Sequence, residues 1–236
     1  MKKLIDLHTH LLPKTDDGAR TTKESLQCFE QAIKLGFETI VLTPHFLNGS
    51  SFSYERNWEE FRKLKKRVSK KRLKINLILA NEIMLDEKVI DNLVAKKSVS
   101  INKSKYLLVE LPIYYENNIE NMLDKIKEQG YIPIIAHPER NSFFQTDMTK
   151  IEALFQQNVL FQVNGVSLLG YYGRKAKEVA EYILENNFAH FIASDSHGEY
   201  DYMEKVLKHL QKNYGDFLIE KLLITNPKRV IENKKL

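Results

Sequence analysis

Histidine and carboxylate side chains close several apolar runs of this chain. Asp6-Leu7-His8-Thr9-His10 closes the first run, and Asp195-Ser196-His197 closes the last. In an extended strand alternate residues point the same way, so each motif places two such side chains on one face, about 7 Å apart along the strand. Imidazole and carboxylate groups are common ligands of divalent metal ions. The two motifs therefore predict metal-dependent chemistry.

Further candidate ligands follow the apolar runs between these two motifs. They are Asp17, His45, Glu82, Glu110 and His137, which with His8, His10, Asp195 and His197 make five histidines and four carboxylates. Nine ligands are too many for one ion, but they suit two or three ions that share bridging carboxylates. Because the set contains no thiolate, manganese, iron and zinc all remain open as the bound metal.

The charge of such a centre favours an anionic substrate. Three divalent ions, four carboxylates and a bridging hydroxide sum to about +1, which would attract a phosphate dianion. Bound metal also lowers the pKa of water towards about 7 and so supplies a nucleophile. Arg140, three residues after His137, could form bidentate hydrogen bonds with phosphate oxygens. These residues predict hydrolysis of a phosphoester.

Seven strand-like runs position the candidate ligands. They span residues 3–8, 38–43, 75–81, 106–111, 132–136, 159–164 and 190–194. Most are continuously apolar, which is typical of parallel strands buried on both faces. Amphipathic helical patterns fill the gaps; the first begins at a capping box of Thr21 and Glu24 and stops at Gly36. Strands alternating with helices predict an α/β fold, a parallel sheet closed into a barrel, in a single domain over residues 1–236.

The composition excludes several classes of protein. The chain has 236 residues, 43% hydrophobic and 28% charged, which is ordinary for a soluble globular protein. No apolar run has the length of a membrane span, and no secretory signal is recognisable. Cys28 is the single cysteine, and Lys34 rather than Arg follows it six positions later. We therefore expect a cytoplasmic protein that does not use cysteine-based phosphatase chemistry.

The positive charge of the chain is concentrated in one segment. Net charge is +5, and nine of the thirteen residues from Arg62 to Lys74 are Lys or Arg. The segment is either a solvated helix face or a patch that attracts an anionic partner. No folded nucleic-acid-binding motif is recognisable, so nucleic acid is not expected as that partner. The sequence leaves open whether the chain forms a homo-oligomer.

Taken together, the motifs resemble the PHP superfamily, named for polymerase and histidinol phosphatase. Three of them are similar to the bacterial CpsB/CapC-type tyrosine-protein phosphatases, namely Asp16-Asp17-Gly18, Thr43-Pro44-His45 and His137-Pro138-Glu139-Arg140-Asn141. The resemblance covers essentially the whole chain. It implies a distorted, TIM-like (β/α)7 barrel and manganese ions. The implied substrate is phosphotyrosine on a bacterial tyrosine kinase that regulates capsule or exopolysaccharide assembly. The basic stretch could place the protein peripherally at the inner membrane surface, near such a kinase.

The resemblance also implies roles for individual residues. His8, His10, Glu82 and Asp195 would bind one ion, Glu82, Glu110 and His137 a second, and Asp17, His45 and His197 a third. A metal-bridging hydroxide would attack phosphorus, Arg140 would stabilise the developing charge, and His45 or His197 would assist the leaving oxygen. We further expect Asp6 to orient an imidazole, and Asp17 rather than Asp16 to be the loop ligand.

One feature departs from the family pattern. Family members often carry an Arg several residues beyond the final Asp-x-His, but residues 198–205 of this chain contain none. Lys205 and Arg174 are the candidate substrate-binding substitutes. Because of this departure, the metal centre is predicted more firmly than the particular phosphoester.

Three alternative functions remain open from the sequence. A small-molecule phosphatase of the same superfamily, for example one for histidinol phosphate, would use the same ligands. An amidohydrolase also begins with His-x-His, but it typically has a carboxylated Lys where this chain has Glu110. A non-catalytic metal-binding module could instead recruit partners through the basic segment. His190 and His209 are interpreted as ordinary polar residues outside the site.

Overall fold

Parallel strands form the framework of the protein in a computed structural model, which describes residues 3–46, 54–86, 100–112 and 118–236. In order, the strands of these ranges are β1 Leu4–Thr9, β2 Phe37–Leu42, β3 His45–Phe46, β4 Asn76–Leu79, β5 Glu82–Met84, β6 Tyr106–Glu110, β7 Ile132–Ala136, β8 Leu160–Asn164 and β9 Phe191–Ala193. Each of the seven predicted runs overlaps one strand, and the short β3 and β5 are additional. Every strand pair is parallel.

The strands form two sheets, β1-β2-β4 and β3-β5-β6-β7-β8-β9. Only Thr43-Pro44 separates β2 from β3, and only Ala80-Asn81 separates β4 from β5. Each of these pairs is therefore one strand with a bend, and the bend passes the chain from the first sheet to the second. The outer edges meet where the Asp195 N–H donates to His8 O at 2.9 Å and the His10 N–H donates to Ser196 O at 2.8 Å. These joints make a distorted ring of seven strand positions, as predicted.

Helices follow most of the strands. In the described ranges they are α1 Thr22–Leu35, α2 Tyr54–Lys70, α3 Ile119–Glu128, α4 Ser142–Thr146, α5 Thr149–Gln156, α6 Gly173–Glu185, α7 Tyr202–Asn213, α8 Gly215–Glu220 and α9 Asn226–Ile231. Shorter turns include 3-10 segments at Pro138–Arg140 and Gly165–Leu169. None of these helices combines the length and the apolar character needed to cross a membrane.

Helix α1 shows why the local sequence specifies these boundaries. The Thr21 hydroxyl accepts from the Glu24 N–H at 3.2 Å, and Gly36 ends the helix with a φ of 94°. Only a residue without a Cβ adopts that φ at little cost. The Glu24 carboxylate accepts from the N–H of Arg20 at 2.8 Å. The predicted cap is therefore present, with the reciprocal bond made one residue earlier than in a capping box.

In the described part of the chain, two hydrophobic clusters hold the ring of strands together. The larger one joins strand residues such as Leu42 and Val109 to helix residues such as Phe29 and Leu123. The smaller one consists mainly of strand residues, among them Leu7, Val41, Leu108, Ile134 and Phe191. Burial of strands on both faces explains their continuously apolar sequences. The packed framework fixes the carboxyl ends of the strands, and those ends carry the predicted ligands.

Candidate metal centre

All nine predicted ligands come together at the carboxyl ends of the strands. A cavity of about 420 Å³ opens there, and its walls are Asp16, Asp17, His45, Glu82, Met84, Glu110, His137, Arg140, Asp195 and His197. His8 and His10 are fully buried beneath it. Two ligands reach the cavity through unusual backbone conformations, because φ is 31° at His137 and 54° at Asp195.

The geometry of the Asp195-Ser196-His197 motif differs from the prediction. Strand β9 ends at Ala193, and the left-handed φ of 54° at Asp195 turns the chain. The alternation of an extended strand therefore does not apply beyond Ala193, and the prediction that Asp195 and His197 share a strand face was wrong. A tight turn brings them together instead, with His197 Nδ1 2.9 Å from the Asp195 carbonyl oxygen.

Four ligand atoms crowd together at the centre of the site. His8 Nε2 and His10 Nε2 lie 3.0 Å apart. Glu82 Oε2 lies 3.3 Å from His8 Nε2 and 3.2 Å from His10 Nε2. Asp195 Oδ1 lies 3.2 Å and 3.3 Å from the same two nitrogens. Such separations match neighbouring ligands around one ion at about 2.0–2.2 Å. These four residues are the first predicted ligand group.

The other nitrogen of each central imidazole is occupied by an acceptor. His10 Nδ1 donates to Asp16 Oδ2 at 2.7 Å, and His8 Nδ1 donates to Gln162 Oε1 at 2.7 Å. In a neutral imidazole only one nitrogen carries a proton, so both Nε2 atoms present a lone pair to the centre of the site. Two lone pairs facing each other and two carboxylate oxygens require positive charge between them. The arrangement fits a metal ion, with Asp16 and Gln162 orienting the two ligands.

The remaining ligands extend the site on either side of Glu82. His137 Nε2 lies 2.9 Å from Glu82 Oε1 and 3.7 Å from Glu110 Oε1, while His45 Nδ1 lies 3.0 Å from Glu82 Oε2. On the outer side, Asp17 Oδ1 lies 3.5 Å from Nε2 of His45 and of His197. Glu82 therefore lies between His137 on one side and His45 on the other, where its two oxygens could bridge two metal ions.

Compact ligand sets support more than one metal position. Among the residues that the structure describes, ligand atoms lie within 4.8 Å of one another in four overlapping groups: His8, His10 and Glu82; His8, His137 and Asp195; His45, Glu82 and Glu110; and His10, Asp17, His45 and His197. His45 belongs to two of them, because its two ring nitrogens face opposite sides. That double position was not anticipated from the sequence.

Unpaired buried atoms provide a test of whether these residues fit metal. Within the described residues, the buried atoms Glu82 Oε2, Asp195 Oδ1 and His45 Nδ1 have close polar neighbours but form no hydrogen bond of acceptable geometry. An ionised carboxylate oxygen buried without a partner is costly. All three atoms point into the crowded centre, so the donor set fits divalent cations there.

Buried charges shift the pKa values of the central groups. Burial alone would lower the pKa of His8, but the charges of Glu82 and Asp195 outweigh burial and raise that pKa to about 9. Burial acts to raise the pKa of Glu82, yet the surrounding imidazoles, above all His8, hold that pKa well below its ordinary value. Protons thus neutralise the carboxylates when no metal is bound, which again marks a site built for cations.

The loop that carries Asp16 and Asp17 is packed against His10. A Cβ at Gly18 would lie 2.0 Å from the His10 carbonyl oxygen. Gly18 is therefore required by close approach, and its N–H donates to Asp16 Oδ1 at 3.1 Å. Both aspartates line the cavity, but the Asp16 side chain is buried against His10, whereas the Asp17 side chain is 71% exposed. Asp17 as the loop ligand stays a prediction.

Asp6 has a different contact set from the one expected. Its carboxylate accepts from the Tyr200 hydroxyl at 2.7 Å, from the Ser194 N–H at 3.1 Å and from the His8 N–H at 3.3 Å. It thus binds the backbone of His8 and not an imidazole ring. Asp6 joins β1 to the segment after β9, and the imidazole of His8 is oriented by Gln162 instead.

The sequence interpretation missed a chain of amides on β8. Gln162 Nε2 donates to Asn164 Oδ1 at 2.8 Å, and Asn164 Nδ2 donates to Asp195 Oδ2 at 2.7 Å. Because the Asp195 carboxylate can only accept, it fixes the orientation of both amides and leaves Gln162 Oε1 to accept from His8. None of the nine predicted ligands lies within residues 159–164. A polar Gln within that apolar run was the available signal.

Arg140 and the two alternative cations occupy different environments. The Arg140 Nη1 donates to Asp195 Oδ2 at 2.8 Å, and the guanidinium lies over the Tyr172 ring, 4.4 Å from its centroid. Arg174 is 89% exposed and pairs with Glu178 at 3.2 Å. Lys205 is exposed on α7. Arg140 alone among these three lines the cavity.

Residues predicted to lie outside the site do so. His190 is packed beside Phe155, and its Nδ1 accepts from the Phe161 N–H at 3.2 Å. His209 lies on α7 beside Tyr214. Cys28 is buried in the core, and burial raises the pKa of its thiol to about 12, so it is not a nucleophile.

Comparisons with known proteins agree with this architecture. The family model described as capsular polysaccharide synthesis, CpsB/CapC, matches residues 4–232. The putative tyrosine-protein phosphatase CapC of Staphylococcus aureus is 34% identical over 82% of this chain and 77% of its own. Tyrosine-protein phosphatase YwqE of Bacillus subtilis is 30% identical over 99% of this chain and 93% of its own.

A solved structure is similar along the whole length. It comes from crystal structures of YwqE from Bacillus subtilis and CpsB from Streptococcus pneumoniae, described as metal-dependent tyrosine phosphatases. It aligns with a TM-score of 0.91 at 30% identity, over 99% of this chain and 96% of that one. The chain therefore belongs to the CpsB/CapC family of capsular polysaccharide synthesis.

Proposed function

We propose that this protein is a metal-dependent tyrosine-protein phosphatase of capsule or exopolysaccharide synthesis. The observation that carries the proposal is the convergence of five imidazoles and four carboxylates around one cavity. The relatives named as tyrosine-protein phosphatases support the substrate class. We propose further that residues 1–236 act as one domain, since the larger hydrophobic cluster runs from Leu4 to Leu223.

The metal complement is proposed as two or three divalent ions, with manganese preferred and iron or zinc as alternatives. His8, His10, Glu82 and Asp195 would hold the first ion, Glu82, Glu110 and His137 the second, and Asp17, His45 and His197 the third. The oxygen and nitrogen donors, without thiolate, suit all three metals. When bound, the ions would activate water and neutralise the phosphate charge.

The chain's own residues would then position the substrate. Arg140 lines the cavity beside Asp195 and could turn its second guanidinium edge to phosphate oxygens. His45 and His197 have the most accessible side chains of the five imidazoles, at 20% and 36% exposed. In a centre of two ions, without the third, either could pass a proton to the leaving oxygen. Arg174 and Lys205, predicted as substitute phosphate contacts, line neither this cavity nor its neighbour and stay as secondary candidates for substrate binding.

Phosphate release from a phosphotyrosine peptide tests the proposal. Protein loaded with manganese should release phosphate, and protein treated with a chelator and dialysed should not. Equal rates in the two samples would contradict a metal-dependent mechanism. Histidinol phosphate measured in parallel tests the small-molecule alternative, which would be favoured by a higher kcat/KM on that substrate. Absence of turnover on every phosphoester would favour the non-catalytic module.

The basic segment supports a proposed location in the cytoplasm at the inner membrane surface, near a membrane-associated kinase. On α2 the residues Phe61, Leu64 and Val68 are buried, whereas the Lys and Arg side chains from Arg62 to Lys74 are exposed. Exposed cations attract anionic lipid headgroups. Exchange of Lys65, Lys66 and Lys70 for Glu should release the protein from anionic vesicles. Unchanged vesicle binding would contradict this placement.

A further inference from the structure

A second cavity adjoins the metal centre. Its volume is about 370 Å³, and its walls are Val166, Tyr171, Tyr172, Asp195, His197, Glu199 and Tyr202. We refer to it as the tyrosine-lined cavity. Asp195 and His197 also line the cavity of the metal centre, so the two spaces share a wall. The other residues come from the segment between β8 and α6 and from the segment that follows β9.

The aromatic walls of this cavity are accessible to solvent. Tyr171 is 60% exposed and Tyr172 is 42% exposed, and both are among the few large apolar side chains that the described chain leaves exposed. Adjacent exposed aromatic residues beside a cavity are typical of a surface that a ligand covers. The Tyr202 hydroxyl donates to Ser194 O at 3.1 Å, which holds the third ring in place.

Arg140 connects the two spaces. Its guanidinium binds Asp195 Oδ2 at 2.8 Å and lies 4.4 Å from the centroid of the Tyr172 ring. A phosphate held between the metal centre and Arg140 would therefore lie close to the Tyr172 ring, and its ester group could extend into the tyrosine-lined cavity. Another space beside Arg140 and Glu110 measures about 80 Å³, well below the volume of about 300 Å³ at which ligand pockets usually begin.

We infer that the tyrosine-lined cavity binds the aryl group of the substrate, and that Tyr171 and Tyr172 determine the preference for aryl over alkyl phosphoesters. The inference rests on the proposed function, because it assigns the position of the group that leaves the phosphate. Aromatic rings recognise another ring through stacked or edge-to-face contacts, which an alkyl chain cannot make. The cavity thus supplies selection for phosphotyrosine that the metal ligands alone cannot.

Binding of two phosphonates to manganese-loaded protein tests this assignment without turnover. Phenylphosphonate and methylphosphonate carry the same anionic head, and only the first has a ring. Calorimetry on the wild type should show phenylphosphonate binding about tenfold more tightly. Tyr171→Ala and Tyr172→Ala should each reduce that ratio to about threefold or less, with methylphosphonate affinity little changed. Tyr172→Phe should keep the ratio, because it keeps the ring.

Phe217 provides the matched control, since it is 80% exposed on α8 and lines neither cavity. Phe217→Ala should leave both affinities unchanged. Equal affinities for the two phosphonates in the wild type, or an unchanged ratio in both alanine variants, would overturn the aryl site and leave the phosphatase intact. Failure of both phosphonates to bind would overturn the proposed function as well.

Discussion

Gln162 Oε1 accepts a hydrogen bond from His8 Nδ1 at 2.7 Å, across 154 positions of sequence. The bond directs His8 Nε2 to the crowded centre, and Asn164 continues the connection to Asp195. Two ligands of the first proposed ion are therefore oriented by one pair of amides on β8. Partners of this kind typically contribute 10- to 100-fold to metal affinity.

Replacement of Gln162 by Leu should weaken manganese binding. Leu cannot accept from His8, so the ring can rotate or change tautomer, and we expect about a 10- to 100-fold lower affinity for the tightest ion. Competition with a metal-binding dye measures this directly. Gln156 is exposed on α5, so Gln156→Leu is the matched control. Equal affinities for the two variants would show that the amide does not orient His8.

Substitution by Asn should affect stability at Asp16 and metal content at Asp17. Asp16 accepts from His10 Nδ1 at 2.7 Å, His45 N at 3.1 Å and Gly18 N at 3.1 Å. Asp16→Asn places an amide nitrogen against some of these donors, which should lower the free energy of unfolding of metal-free protein by about 1–3 kcal/mol. Asp17→Asn should change it by less than about 0.5 kcal/mol.

Metal titrations complete the comparison of the two aspartates. Asp17→Asn should lower the number of manganese ions bound at saturation, because the exposed carboxylate lies between His45 and His197. Chemical denaturation and metal analysis of both variants give the two readouts. A large loss of stability in Asp17→Asn with full metal content would contradict these assigned roles.

The strands and the nine candidate ligands could be predicted from the sequence, but the amides that orient the ligands could not. The difference has a physical cause. A ligand such as Glu110 can be recognised from its immediate sequence, because a carboxylate directly follows an apolar run. Gln162 and Asn164 do not directly follow such a run, and the one local signal is a polar Gln within the run of β8. That signal does not reveal their function, which depends on residues that only the barrel brings near. The left-handed turn at Asp195 was also hidden, because residue type does not reveal a positive φ at a non-glycine position.

Manganese should stabilise the folded protein through Glu82. Ligands that bind only the native state stabilise it by about 2.7 kcal/mol at a hundred times Kd, which raises Tm by about 5–10 °C for a domain of this size. Glu82 contacts four imidazoles in the centre. Glu82→Gln should remove at least half of the Tm increase on adding manganese.

The matched control for Glu82 is a glutamate away from the centre. Glu152 is exposed on α5, and Glu152→Gln should show the full increase. Differential scanning fluorimetry over a manganese series gives both curves. The bridging position of Glu82 would be contradicted by an undiminished increase in Glu82→Gln.

Acid should destabilise the protein partly through His190, which lies outside the metal centre. Burial, helped by the charge of Lys221, lowers the pKa of His190 to about 4 in the folded protein, against about 6.5 in an unfolded chain. The unfolded state therefore binds more protons between these values. The contribution of His190 is complete above about pH 6.5 and is lost as pH falls towards 4, by on the order of 2–3 kcal/mol.

His190→Gln should flatten this part of the pH dependence. The amide of Gln can still accept from the Phe161 N–H but does not titrate. The free energy of unfolding of the variant should therefore fall less than that of the wild type between pH 7 and pH 4.5. Urea denaturation with chelator present, at half-unit pH steps, measures the two slopes without a contribution from bound metal. Parallel slopes would mean that His190 becomes protonated in the folded state as readily as in the unfolded chain, and that its burial beside Phe155 does not exclude the charge.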